Sequence, residues 1–169
     1  MDAVEFLNIE LKYLRVQEDA VMDGLTEEQF NWNPPGSANS IRATFVHLVA
    51  TEDYYINKVL AGGERLWDQQ GWGEKIGLSA PPSATHSWDE IHQATLSLVT
   101  VLDYARAVRE ATEAYLLRFT PEELERPVVL YGRDRIVADV LTRVIVHSAL
   151  HTGDIAAVRG LQGAKGLRV

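Results

Sequence analysis

The chain has 169 residues and carries 24 acidic against 16 basic side chains, a net charge of −8 with a pI near 5.1. That sign argues against the two partners that demand a basic face, a nucleic-acid backbone and an anionic membrane surface. The complete lack of cysteine excludes disulfides, thiolate metal sites and a cysteine nucleophile, and leaves His, Asp and Glu to carry any metal or acid–base chemistry.

The length and the 46% hydrophobic content suit one soluble domain with its own core, spanning 1–169. No apolar run approaches the ~18 residues of a membrane span. The acidic start Met1-Asp2-Ala3-Val4-Glu5 lacks the basic and apolar regions of a signal peptide, so a cytoplasmic location is expected.

The first predicted helix covers about 2–24. Asp2 with Glu5 forms a capping box, Val4, Leu7, Leu11, Leu14 and Val21 recur near a 3.6-residue period, and Gly24 stops it. Thr26-Glu27-Glu28-Gln29 caps a turn or two before Asn33-Pro34-Pro35-Gly36 breaks the chain. Ser40 caps the second long helix, about 41–61, with Ile41, Phe45, Leu48, Ile56 and Val59 as its apolar stripe. Residues 62–85 have no period. They hold Pro81-Pro82, Trp67 and Trp72, and read either as a lid or binding loop or as a crossover whose tryptophans pack on the bundle.

Ser87-Trp88-Asp89-Glu90 reads as a capping box opening a third long helix that continues to about 119. Thr120-Pro121-Glu122-Glu123 starts a short helix, and its acids, with Glu125, are helix-start charge rather than a catalytic pair. Residues 127–134 are extended, with one short hairpin as an option. The fourth long helix begins near Arg135 and ends before Gly160. The pattern predicts an all-α protein, a four-helix bundle with long crossover connections rather than a plain up-down-up-down series.

Five histidines are the informative side chains. His147 and His151 stand four apart on the fourth helix, one turn above each other, about 5–6 Å between Cβ atoms. Two imidazoles so placed can share a divalent ion, and sharing a face with Val140, Val144 and Ile155 they are expected to point inward. The competing reading is a pair of hydrogen-bonded core residues. His47, on the second helix beside its apolar stripe, would complete a set of three ligands from two helices, leaving a coordination position open for water or substrate. His86 and His92 read as exposed or capping residues. Asp154 is a fourth ligand, an acceptor for an imidazole N–H, a general base, or a solvated carboxylate beside Arg159 or Lys165, the last being preferred. Glu52 reads as an ion-pair or cleft residue. No P-loop, G-x-G-x-x-G, G-x-S-x-G or H-E-x-x-H motif is present.

Asn31-Trp32-Asn33-Pro34-Pro35-Gly36, Ser40-Ile41, His47-Leu48 and Glu52, followed by His147-x₃-His151-Thr152-Gly153-Asp154-Ile155 and Arg159-Gly160-Leu161-Gln162-Gly163, resemble the DinB-like superfamily in order and spacing over most of the chain. The resemblance implies a four-helix bundle, often a homodimer, with a metal triad at His47, His147 and His151. It implies metal-dependent hydrolysis or transfer of a low-molecular-weight thiol; it does not imply nucleic-acid binding, and the net charge agrees. Asp154 departs from the uncharged Gln usual there.

Three functional classes follow. One is a metal-dependent enzyme acting on a small molecule, by thiol S-transfer or hydrolysis, with Tyr55, Trp67 and Trp72 as candidate cleft walls. A second is a non-catalytic metal- or ligand-binding stress-response protein. The third is a structural dimer with satisfied core histidines. A cysteine-free enzyme of the first class would import its thiol. All-nitrogen ligation suits Zn or Ni first, with Fe, Mn or Cu as further candidates.

Overall fold

The computed structural model describes residues 1–83, 86 and 88–164. Its long helices are α1 (Ala3–Met22), α3 (Ile41–Asp53), α7 (Leu98–Leu116) and α8 (Val137–Leu161). Short helices α2 (Glu27–Asn31), α4 (Leu66–Gln69), α5 (Trp72–Ile76) and α6 (Asp89–Gln93) fill the connections. The caps read from the sequence are in place: Asp2 accepts from the Val4 and Glu5 amides, Thr26 from Gln29, and Ser40 from Ala43. A 3₁₀ turn (Pro121–Glu125) leads to the hairpin β1 (Pro127–Leu130) and β2 (Arg133–Ile136), whose second strand takes the residues expected to begin the fourth helix. Its two-residue turn sets both Tyr131 (φ 52°) and Gly132 (φ 71°) in the left-handed region, as a type I′ turn requires.

α8 packs against α1 and α3, and α3 also against α7. The chain neighbours α1 and α3 are therefore not the main packing partners, and the expected departure from a simple hairpin series holds. The core falls into two apolar clusters. One gathers Val21, Phe30, Phe45, Val49, Val101, Tyr104, Val108 and Ile155. The other gathers Leu7, Leu11, Leu14, Ile56, Leu60, Val140 and Val144. Between them each long helix contributes buried polar residues: Glu18 from α1, Glu52 from α3, Thr112 from α7, and Ser148 and Thr152 from α8.

One expectation is corrected here. The third long helix does not run unbroken to 119: α6 ends at Gln93, and α7 starts afresh at Leu98, capped by Ser97. The break is stabilised from outside. Buried Arg42 donates to the carbonyls of Ile91 (3.0 Å) and His92 (2.7 Å), taking acceptors a continuous helix would use. Asn31 accepts from the Leu96 amide and donates to its carbonyl, both at 2.9 Å. The Ser87 cap itself lies outside the described residues.

Of the two readings left open for this segment, residues 62–83 take the crossover with packed tryptophans rather than the lid. Trp67 and Trp72 are buried, with ring centroids 5.5 and 5.4 Å from Tyr104, so neither walls a cleft. Gly73 has no room for a side chain, because a Cβ there would lie 2.9 Å from the Leu78 carbonyl and 3.0 Å from the Trp67 ring. Fully buried Asp53 fastens the segment by accepting from the Leu66 and Trp67 amides (2.9 Å each) and from the Tyr104 hydroxyl (2.8 Å). The second long helix ends near the expected place, but as a π-helical stretch, Tyr54–Leu60.

Candidate metal centre

The buried stripe of α8 is Val140, Val144, Ser148, Thr152 and Ile155. His147 and His151 flank that stripe rather than lie within it. They are half-buried and face α3, not the core centre as expected. His47 on α3 meets them there. Ring centroids lie 4.8 Å apart for His47 and His147, 5.1 Å for His47 and His151, and 4.4 Å for His147 and His151. One nitrogen from each ring falls within 4.8 Å of the other two.

Two of the rings are oriented by their outward nitrogens. His47 Nδ1–H donates to the Pro82 carbonyl at 2.7 Å, and His151 Nδ1–H donates to Asp154 Oδ2 at 2.9 Å. Each leaves Nε2 as the free lone pair. The His47 and His147 Nε2 atoms are 3.0 Å apart. Burial, followed by the nearby His151 and His47 rings, drops the His147 pKa to about 3. Burial also lowers that of His47, with the Pro82 bond working the other way. Both rings are therefore neutral at pH 7, the form that binds metal.

The donor set fits a divalent ion. Nitrogens bound at ~2.0–2.1 Å in a tetrahedral site lie about 3.3 Å apart. The His47–His147 pair is already close to that spacing at 3.0 Å. Asp154 supplies no ligand: its carboxylate, 63% exposed, holds His151 by the opposite nitrogen. Its preferred reading as a carboxylate beside Arg159 is corrected, since Arg159 turns to the Val21 and Asp23 carbonyls; Lys165 lies outside the described residues. Glu52 forms the expected ion pair, with Arg15. His92 bonds Asn39 at 3.0 Å and His86 bonds Ser83 at 3.0 Å, away from the cluster.

Pro82 and Trp88 belong to the site and were not foreseen. The Trp88 ring packs on His47 at 4.9 Å and donates to the Ser83 carbonyl. A tryptophan inside a capping-box motif offers no local signal of that contact. Tyr55 does wall a cleft, an open one of about 550 Å³ that reaches His147 and is bounded also by Thr142, Val146 and Leu150. Tyr131, at the hairpin tip, stacks on Tyr54 at 5.8 Å and donates to the Tyr55 hydroxyl at 3.4 Å.

Fold and site together define a class: a helical protein with four long helices, a small hairpin and a three-histidine cluster that could hold a metal ion. A profile of the DinB superfamily matches residues 11–155, and the chain belongs to that superfamily. The structure is similar to the crystal structure of a conserved protein from Enterococcus faecalis, with a TM-score of 0.82 at 20% identity, covering 97% of this chain and 99% of that one. At that identity the likeness speaks for the fold. None of the curated proteins matches the chain. Among the described residues, no helix is long and apolar enough to cross a membrane.

Proposed function

We propose that the protein is a metal-dependent enzyme acting on a small molecule at His47, His147 and His151, by transfer of a low-molecular-weight thiol or by hydrolysis. One observation carries this reading. Three imidazoles converge on one point, two of them locked by outward hydrogen bonds so that Nε2 faces inward. Held by His47, His147 and His151, a divalent ion such as Zn or Ni would favour ionisation of a thiol or water.

The chain's own residues do the rest. His47 and His151 are held in register by Pro82 and Asp154. Trp88 shields the His47 ring on one side, and Tyr55 with Val146 and Leu150 forms the wall along which a substrate reaches His147. Among the described residues no carboxylate joins the cluster, which favours S-transfer over a hydrolysis needing a nearby general base. The same observation suits the second reading, a non-catalytic metal- or ligand-binding stress-response protein. We place the protein in the cytoplasm as a homodimer without nucleic-acid or membrane partners, in keeping with its acidic charge and its family.

Elemental mass spectrometry of untagged protein tests the site. Near-stoichiometric metal is expected in wild type and in His92→Ala, and none in His47→Ala or His147→Ala. Equal content in all four would end the metal reading. Turnover of chlorodinitrobenzene with a supplied thiol, against turnover of p-nitrophenyl acetate, separates transfer from hydrolysis. Metal without either activity would favour the binding protein.

A further inference from the structure

The cleft beside His147 has an electrostatic character that the metal reading does not use. Its lining also carries Arg135 from β2 and Arg143 from α8. Arginine is scarce relative to acid in this chain of net charge −8, and Arg15, Arg65, Arg106, Arg109 and Arg126 are each paired with a carboxylate. Arg135 and Arg143 are not. Arg135 donates only to the Asp134 carbonyl, at 3.1 Å, and Arg143 has no hydrogen-bonding partner among the described residues. Arg143 is near enough to Tyr131 for its charge to act on that phenol.

The one acid in the lining, Asp139, is turned to the backbone, accepting from the Ile136 amide at 3.4 Å at the start of α8. Two cations and one anion leave the lining at 2 − 1 = +1. A single positive charge, with the Tyr55 and Thr142 hydroxyls beside it, matches a monoanionic carboxylate better than a doubly charged phosphate. Unpaired guanidinium groups in a cleft are ready donors for a carboxylate, which accepts two N–H bonds from one fork.

We propose that Arg135 and Arg143 form the seat for a carboxylate on the small molecule handled at the histidine cluster, so that this group lies along the cleft while the reacting end points to His147. The inference rests on the proposed reading of that cluster as the reactive centre. Arg143 and Arg135 are positioning residues here, and hold one end of the ligand without touching the reacting atoms.

Two measurements separate the failure of this seat from the failure of the metal reading. In metal-free protein, the arginine Nε–H signals are followed by NMR during titration with glutarate. Saturable shifts of Arg135 and Arg143 are expected, weakened by added salt and lost in Arg143→Gln. In Co(II)-loaded protein, binding of 3-mercaptopropionate and of 2-mercaptoethanol is followed by the thiolate–metal charge-transfer band. The carboxylated thiol should bind about tenfold more tightly, the scale of one charge-assisted hydrogen bond. Arg143→Gln and Arg135→Gln should each erode that preference and leave 2-mercaptoethanol unchanged. A preference that survives both substitutions, or parity in wild type with no glutarate shifts, overturns the seat while the metal site stands. Failure to load Co(II), with glutarate shifts intact, overturns the metal reading and leaves the carboxylate seat.

Discussion

The polar layer between the two apolar clusters has two sides, and they are built on opposite rules. On the α1–α7 side the charges are paired with one another, with Glu18 Oε1 alone among the described carboxylate oxygens left buried and unpartnered. Arg15 pairs with Glu52 and, at 2.8 Å, with Glu18; Thr112 donates to Glu52 at 2.6 Å; Arg109 closes the group onto Asp19 at 2.8 Å. Burial opposes the Arg15 charge, but the two carboxylates outweigh it and hold its pKa above the ordinary arginine value. On the α3–α8 side three imidazoles turn nitrogens toward one another, where at most one hydrogen can be shared between each pair. The first arrangement is closed and ties helices together. The second converges three neighbouring ring nitrogens with no charge to balance them, a donor set with capacity for a ligand.

The comparison breaks most severely if the closed side and its neighbour Asp53 are not structural. Removing residues 66–76 takes away Trp67, Trp72 and both backbone donors to Asp53. Loss of a cooperative thermal transition is expected by calorimetry. A folded deletion variant would restore the lid reading.

Next in size is Glu52→Ala, which takes from Arg15 one of its two carboxylates and leaves the Thr112 hydroxyl only the Val108 carbonyl. Stability should fall by about 3–5 kcal/mol in urea denaturation, the cost of breaking a buried pair from one side. Metal content should persist in the folded fraction, since Glu52 is not among the clustered ligands. A matching loss of metal would show that the two sides are one unit.

On the open side, Asp154→Asn should weaken metal affinity about tenfold, as loss of a carboxylate that orients a ligating imidazole does. Competition with a chromophoric chelator reads this directly, with circular dichroism unchanged. Full affinity in the variant would reduce Asp154 to a surface charge.

The last test is an acid slope. The folded protein holds the His147 pKa near 3, below the ordinary histidine value of about 6.5. The unfolded chain therefore binds the extra proton first. The contribution of His147 is complete above about pH 6.5 and is lost as pH falls toward 3. Metal-free protein should lose stability across that window, and His147→Ala should flatten the slope. An unchanged slope would mean that the ring is not held neutral by its surroundings.

Much of this was legible in the residues. The capping pairs Asp2/Glu5, Thr26/Gln29 and Ser40 are local, so the helix starts they mark are where the pattern places them. The i, i+4 spacing of His147 and His151 is likewise a local fact, and the Glu52 ion pair was anticipated as a type of contact without its partner. The break at 94–97 was not legible, because the groups that stabilise it, Arg42 and Asn31, lie about 50 and 65 residues away along the chain. Trp67 and Trp72 lack a helical period because they pack from short turns against Tyr104, and no periodicity argument reports a contact of that kind.

The sequence by itself determined the helix starts marked by Asp2, Thr26 and Ser40, the absence of cysteine and the three imidazoles available to a metal. It did so because those properties depend on residue type and near spacing. Only the tertiary structure decided that His47 stands opposite His147, that Pro82 and Asp154 choose which nitrogen each ring presents, and that Arg135 and Arg143 share the cleft. Those outcomes depend on how α3, α8 and the hairpin pack, and a packing angle is a sum over distant contacts that no short stretch of sequence contains.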